Sequence, residues 1–507
     1  MSQERRQRND TKIGESLNFD PSISVLSTTV ARGASFTGAA QVVKLGCQIL
    51  SVIILSRLLQ PSDFGIVAMV APVMAFVGLF QDMGLTQATV QRPQLTHQLV
   101  NSLFWINMAV GGALAIALIG VSPLIADFYE EPAVGALVAA MSVQLLLMAA
   151  GAQHHAIITR KMQMGKLAAL ESFAAVAGLL AAIGWAYFER TFWALFVGSL
   201  VTIVFSVLGS WIISSWRPSL PRMTPGSREM VSFGAGITGF NFANFFSRNL
   251  DLIMIGGRWG NEQLGFYDRA NKLLLFPLQQ ITYPLGKVMV PALSRLSDQP
   301  DRYRQAYLRV APLLLIVALP GVAVAITMAD QLIPLALGSQ WQGTAVIFQA
   351  LGFAGMLQPL NSPAGWLFIS QGRSMDFMRW GIFGAGTTGL AFWIGLPYGA
   401  AGVALAYAIH EYARTPLLWL YVGKRGPVSA WDVARATFPI IFGTHCALLA
   451  VLAVKGFFPS EPVFSLLVAT AISYAISLSV AAIFPTGRKS IYKLYDMTQG
   501  LWKAFYR

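Results

Sequence analysis

The chain has 507 residues, 55% of them hydrophobic and only 12% charged, with a mean hydropathy of +0.57 and a formal net charge of +13 at pH 7. That balance excludes an ordinary soluble domain and points to a polytopic helical membrane protein, all-α. The two cysteines, Cys47 and Cys446, both in apolar stretches, exclude a disulfide framework and offer no metal-ligating spacing.

Residues 1–33 carry Arg5, Arg6, Arg8, Lys12 and Arg32 with no apolar run among them, so they read as a cytoplasmic tail and not as a cleavable signal. A helix needs roughly 20 apolar residues to cross a bilayer. Fourteen stretches qualify: 34–56, 64–84, 101–125, 132–155, 167–188, 192–215, 230–256, 264–292, 307–329, 342–370, 375–396, 398–421, 433–455 and 462–484. The first six form an N-terminal half, 34–216; a cytoplasmic linker, 217–228, leads to a C-terminal half, 229–421. The pair at 433–484 is appended outside the two halves. Pro277, Pro284 and Pro291 are expected to break the eighth span, and Pro359 and Pro363 the tenth. In the tail, 485–507, Ile491, Leu494, Tyr495, Leu501, Trp502 and Phe505 recur at helical spacing against Lys and Arg, which predicts an amphipathic helix on the inner membrane face.

With the N terminus inside, 24 of the 36 Lys and Arg residues fall in cytoplasmic segments, and only Arg57, Arg190, Arg258 and Lys455 fall on the opposite side. Such a bias fixes orientation. The basic charge is therefore mostly a topology signal and not a nucleic-acid surface, and both termini are placed in the cytoplasm. Every outer loop is short, so no soluble domain is inserted.

Two stripes of polar residues interrupt the apolar spans. Gln41, Lys44, Gln48 and Ser51 share one face of the first span at spacings of 3, 4 and 3; Asn241, Asn244, Arg248 and Asp251 repeat that pattern in the seventh, 200 residues later. Each stripe is followed by an arginine, a turn and a glycine beside an aromatic, in RLLQPSDFG and RWGNEQLGF. An offset of six spans preserves orientation, which predicts a parallel duplication of six helices plus six. Arg269 and Lys272 add two cations at i, i+3 in the eighth span. A charge at the bilayer centre costs about 2.5–3.5 kcal/mol on insertion scales, so these faces should look into a bundle interior or a wet cavity. Two readings remain open for Arg248 and Asp251: a transporter's binding face, or an ion pair that joins two helices.

The blocks LSRLLQPSDFGIVAMVAPVMAFVGLFQDMGLTQATVQR at 55–92 and LGFYDRANKLLLFPLQQITYPLGKVMVPALSRL at 264–296 resemble the polysaccharide transporter family, the Wzx-type flippases of lipid-linked oligosaccharides. That family lies in the multidrug/oligosaccharidyl-lipid/polysaccharide exporter superfamily, and the resemblance runs toward exporters of colanic-acid or succinoglycan repeat units. It implies alternating access between two halves, a polyprenyl-pyrophosphate-linked oligosaccharide in a central cationic cavity, a bacterial inner-membrane location, and Na⁺ or H⁺ as coupling ion. Polysaccharide polymerase and export machinery are the implied protein partners.

A pyrophosphate needs positive charge or N–H donors, which Lys44, Arg248, Arg269 and Lys272 supply. Gln41, Gln48, Asn241 and Asn244 can donate to and accept from sugar hydroxyls. Asp251 and Glu411, with His410 beside it, are candidates for ion coupling, each also readable as the partner of a nearby arginine such as Arg414. Gln144, Gln349, Gln358 and Asn361 are lesser candidates for a cavity lining, and Tyr267 for an outer rim or interface belt. His445 and the His154–His155 pair read as buried histidines without a metal-ligand spacing. The sequence has no GxxxxGK[ST], no DxD and no HExxH, so the expectation is a transporter and not an enzyme, with no metal and no organic cofactor. A polymerase or ligase acting on the same lipid would need a sizeable outer loop. A cation-coupled drug extruder would need an acidic pocket.

Overall fold

The computed structural model describes residues 23–81, 84–92, 95–221 and 225–505, and within them the side chains outside 23–37, 225–244, 246–247, 497–498 and 500–505. The described residues form helices joined by short turns, with no strand among them. The chain is an all-α, multi-pass membrane protein of about fourteen spans. Among the described residues eleven helical stretches are long and apolar enough to cross a membrane, one of them holding two expected spans.

Two compact units divide the chain between Asn261 and Glu262. The first contains α1 (Ile23–Leu58), α2 (Pro61–Gln81), α3 (Leu85–Gln91), α4 (His97–Tyr129), α5 (Pro132–Arg160), α6 (Met164–Phe188), α7 (Trp193–Ser214) and the opening of α8 (Pro225–Ser294). The second contains the rest of α8, then α9 (Pro300–Thr327), α10 (Ala329–Leu337), α11 (Gly343–Asn361), α12 (Ala364–Ser370), α13 (Ser374–Gly395), α14 (Gly399–Gly423), α15 (Ala430–Val454), α16 (Pro462–Ile483) and α17 (Pro485–Phe505). Each expected span falls on a helix. The seventh and eighth are the two arms of α8, and the tenth is shared by α11 and α12.

The prolines do less than expected. Pro277, Pro284 and Pro291 lie within α8 without ending it, and the non-helical point of that helix is Gly260, at φ 76° and ψ −173°. A spanning helix tolerates proline where neighbours take up the freed backbone groups, whereas this φ/ψ pair is open only to glycine. In the tenth span Pro359 sits inside α11; the interruption falls at Ser362 and Pro363, the latter being the N-cap of α12.

Between two helices in lipid there is no hydrophobic driving force, so close approach and hydrogen bonds decide packing. In the first unit α6 and α7 meet through glycines: a Cβ on Gly178 would lie 1.9 Å from the Thr202 hydroxyl, and one on Gly198 2.7 Å from the Ala182 methyl. The turn from α4 into α5 closes with Glu130 in the left-handed region at φ 52° and Pro132 in the first turn of α5, where its missing N–H costs nothing. In the second unit α9 is the central helix, with Tyr303, Tyr307, Leu315 and Leu319 fully buried. The appended pair packs on it. Ser473 donates to the Pro320 carbonyl at 2.9 Å, Tyr474 to the Val317 carbonyl at 2.7 Å, and Lys455 bridges to Asp330 at 2.6 Å. At the other end of α15 a capping box of Ser429 and Asp432 starts the helix, and Asp432 also pairs with Arg304 of α9.

Candidate functional site

The residues singled out from sequence divide between the two units. Gln41, Lys44, Gln48, Arg248 and Asp251 belong to the first, and Arg269, Lys272, His410 and Glu411 to the second. The side chains of Asn241 and Asn244 lie outside the described residues.

In the first unit α1 is the least covered helix, with Gln41 and Gln48 exposed and Lys44 partly covered. Lys44 does not stand alone: its Nζ donates to Glu171 Oε2 of α6 at 2.7 Å, with side chains 39% and 38% exposed. One turn away on α1, the Ala40 carbonyl accepts from Ser172 at 3.2 Å, so two adjacent residues of α6 hold the helix. His155 of α5 lies within electrostatic reach of Glu171, and its Nε2 is 3.2 Å from Ser206 of α7. Arg248 and Asp251 differ in environment, Arg248 exposed and Asp251 buried. The ion pairs among the described residues do not include one between them. Around them α8 is seated by Phe245 edge-on to Phe76 of α2, at 5.3 Å between centroids, and by Asn261, which donates to Glu131 at 2.9 Å.

In the second unit Lys272 donates to Asp268, one helical turn before it, at 2.8 Å; the lysine is 57% exposed and the aspartate side chain 5%. Arg269 is partly buried beside Asp268. Tyr267 is fully buried, so neither an outer rim nor an interface belt describes it. Glu411 of α14 is buried and forms an ion pair with Arg414, Oε1 to Nη2 at 2.6 Å, with His410 Nδ1 3.7 Å from the same oxygen. Arg414 in turn lies over Gly384 of α13, where a Cβ would stand 2.8 Å from its Nη1. Next to this pair Asn361 of α11 donates to Thr415 at 2.7 Å, and Thr415 donates to the Glu411 carbonyl at 2.8 Å. Gln358 Oε1, Asn361 Oδ1, Tyr307 Oη and Trp419 Nε1 are buried without a hydrogen-bond partner among the described residues. The helices α9, α11 and α14 thus enclose a polar interior with spare donors and acceptors. Of the remaining lining candidates, Gln144 donates to Ser199 at 2.9 Å, tying α5 to α7, and Gln349 is partly buried.

The histidines behave as structural groups. His154 is stacked on Trp211 at 4.4 Å and accepts or donates at 2.8 Å with Ser214. His445 donates to the Ile441 carbonyl at 2.8 Å and meets the Tyr412 hydroxyl at 3.4 Å.

Glu171, which the sequence pattern leaves unmarked, holds one of the lysines, and Asp268, the neighbour of Arg269, holds the other. Glu171 was visible as an acid inside an apolar span, but its partner lies 127 residues away on another helix. Lys44, held by a carboxylate that is itself partly exposed, is a compensated cation that an incoming anion can recruit. Pairing of that kind costs little to open, because exposed ion pairs are worth about 0–1 kcal/mol.

Comparison with known proteins bears on the same segments. The sequence profile of the family described as "Polysaccharide biosynthesis protein" matches residues 54–346. The lipopolysaccharide biosynthesis protein WzxC of Escherichia coli (strain K12) is 23% identical over 398 residues, covering 77% of this chain and 80% of its own. The succinoglycan biosynthesis transport protein ExoT of Rhizobium meliloti (strain 1021) is 25% identical over 498 residues, covering 94% and 97%. Among solved structures, the lipid II flippase MurJ in an inward closed conformation superposes with a TM-score of 0.71 at 13% identity, over 88% of this chain and 98% of that one. An inward-facing multidrug resistance transporter of the MATE family gives 0.60 at 14% identity, over 78% and 99%. At these identities the likeness is one of fold, and it is shared across flippase and drug transporter alike. With more than half its length matched by the family profile, the chain belongs to the polysaccharide biosynthesis protein family, as a multi-pass helical membrane protein.

Proposed function

We propose that the chain is a flippase that moves a polyprenyl-pyrophosphate-linked oligosaccharide repeat unit across the bacterial inner membrane by alternating access, in exopolysaccharide or lipopolysaccharide assembly. The observation that carries this reading is the family match over residues 54–346. It is supported by relatives named for lipopolysaccharide biosynthesis and for succinoglycan transport. Both termini face the cytoplasm in this reading, and the chain acts as a transporter and not as an enzyme.

The physical case rests on charge. Lys44, Arg248, Arg269 and Lys272 are cations inside spans, where each costs several kcal/mol unless compensated. A pyrophosphate compensates them when bound; Glu171 and Asp268 compensate the two lysines when it is absent. Asn241, Asn244, Gln41 and Gln48 contact the glycan. Asp251 and Glu411, with His410, couple the cycle to Na⁺ or H⁺, and a polymerase and export machinery take the product on the far side.

Deletion of the gene followed by analysis of extracted lipids tests the reading. The expected result is accumulation of a lipid-linked oligosaccharide together with loss of the surface polymer, both reversed by the wild-type chain. Loss of polymer with no accumulated lipid-linked intermediate would favour a polymerase or ligase. A changed sensitivity to cationic compounds with normal polymer would favour a drug extruder.

A further inference from the structure

The closing helix has two faces with different fates. α16 ends at Ile483 and α17 begins at Pro485, so a single residue separates a membrane span from α17, which therefore starts at the membrane boundary. One side of α17 is pressed on its own bundle. Gly487 and Ser490 are buried, and Ile491 and Leu494 are partly covered. A Cβ on Gly487 would lie 2.1 Å from the Ala481 carbonyl and 3.2 Å from Pro439 of α15. Of the apolar stripe seen in the sequence, Ile491 and Leu494 are thus partly covered and Tyr495 is exposed, while the side chains of Leu501, Trp502 and Phe505 lie outside the described residues.

The other side carries Lys489, Tyr492, Lys493 and Asp496, with Tyr495 at its edge, all exposed. Arg488 is taken up by the fold, its guanidinium donating to the Ala482 carbonyl at 2.9 Å at the end of α16. Lys489 and Lys493 stand one turn apart, and neither has an ion-pair partner among the described residues. Like charges at that spacing repel along a helix, and the single carboxylate of Asp496, three residues beyond Lys493, offsets only one of them, so the face is left net positive. Tyr492 is 66% exposed, and Trp431, in the first turn of α15 at the same end of the bundle, is 74% exposed. Exposed tyrosine and tryptophan beside lysine are the side chains that settle at headgroup level. A merely solvated face would have no use for these rings.

From this juxtaposition we infer that the outward face of α17, through Lys489 and Lys493 flanked by Tyr492 and Tyr495, is a docking surface for anionic phospholipid headgroups. It serves to lock the end of the second unit to the membrane. The inference is independent of orientation, since headgroups border both ends of a span, and independent of the transported substrate.

The full chain in nanodiscs of phosphatidylcholine doped with a graded fraction of phosphatidylglycerol provides the test, read by hydrogen exchange over residues 485–496. Protection should rise with the phosphatidylglycerol fraction and fall as salt is added, because screening acts over about 10 Å at 0.1 M. K489Q/K493Q should weaken the response by about fivefold per lysine, the equivalent of ~1 kcal/mol for each basic side chain near an anionic surface. K489R/K493R, which keeps the charge, should respond as wild type does. Equal protection in pure phosphatidylcholine, or a response that survives K489Q/K493Q unchanged, would overturn the inference. So would a K489R/K493R protein that fails to respond while wild type does.

Discussion

Buried and half-exposed charges in this chain are two different problems. Glu411 and Arg414 are largely covered, and a buried pair broken by removing one partner costs about 3–5 kcal/mol. Lys44 and Glu171 are both more than a third exposed, and such a pair is worth roughly 0.2–1 kcal/mol. Thermal unfolding in detergent should separate them. Arg414→Ala should lower the midpoint markedly, with partial recovery in R414Q/E411Q, whereas Glu171→Gln should leave the midpoint close to wild type. A large loss in Glu171→Gln would mean that the Lys44 pair is structural and not an exchangeable clasp. The same contrast sets how ion coupling has to be tested: Glu411→Gln alone strands Arg414, so ion dependence of transport must be compared between E411Q and R414Q/E411Q. Arg248 is exposed and lacks an ion pair with Asp251. Arg248→Ala should therefore reduce export by at least about tenfold, and Arg248→Lys should rescue only in part because the bidentate fork is lost. Export restored in R248A/D251A would identify the arginine as a charge balance for Asp251.

At the scale of elements, the bend in α8 comes from backbone freedom and not from its prolines, whereas Pro363 stands at the break in the tenth span. Gly260 holds φ 76° and ψ −173° at the turn between the arms of α8, and Gly399 holds nearly the same pair, φ 77° and ψ −171°, where α14 begins. Among the described residues no heavy atom lies within 4 Å of a Cβ built on Gly260, so a substitution there meets the torsional penalty. Gly260→Ala should cost about 1–3 kcal/mol and lower the unfolding midpoint. Pro277→Ala, inside a continuous helix, should leave it within error or raise it. The reverse ranking would return the kink to the prolines. The two Arg–turn motifs are placed alike, Arg57 just before the break between α1 and α2 and Arg258 just before Gly260, which supports the proposed six-plus-six duplication.

For the whole molecule, helix content and span boundaries were legible because twenty-residue apolar runs leave few alternatives in a bilayer. Gly260 was legible as part of a turn signal, though its neighbours Pro277 and Pro284 drew the greater weight. The side-chain pairings were not legible, since Lys44 with Glu171 and Asn361 with Thr415 depend on which helices neighbour one another, and periodicity within one helix carries no such information. The 24-to-4 distribution of basic residues makes its own prediction. With Cys47 and Cys446 replaced, single cysteines at Ser219 and Lys489 should resist a membrane-impermeant maleimide in intact cells and react once the membrane is opened. Labelling of either from outside would invert the proposed topology.

Translocation of a lipid-linked oligosaccharide is measurable in proteoliposomes. The purified chain is reconstituted with the polyprenyl-pyrophosphate-linked oligosaccharide from the deletion strain placed on one leaflet, and the glycan reaching the other leaflet is followed with an impermeant glycan-modifying enzyme. Time-dependent transfer is expected with the wild-type chain, and transfer near the protein-free background with Arg248→Ala and Arg269→Ala. Transfer no faster than in protein-free vesicles for the wild-type chain, under either a Na⁺ or an H⁺ gradient, would contradict the proposed function.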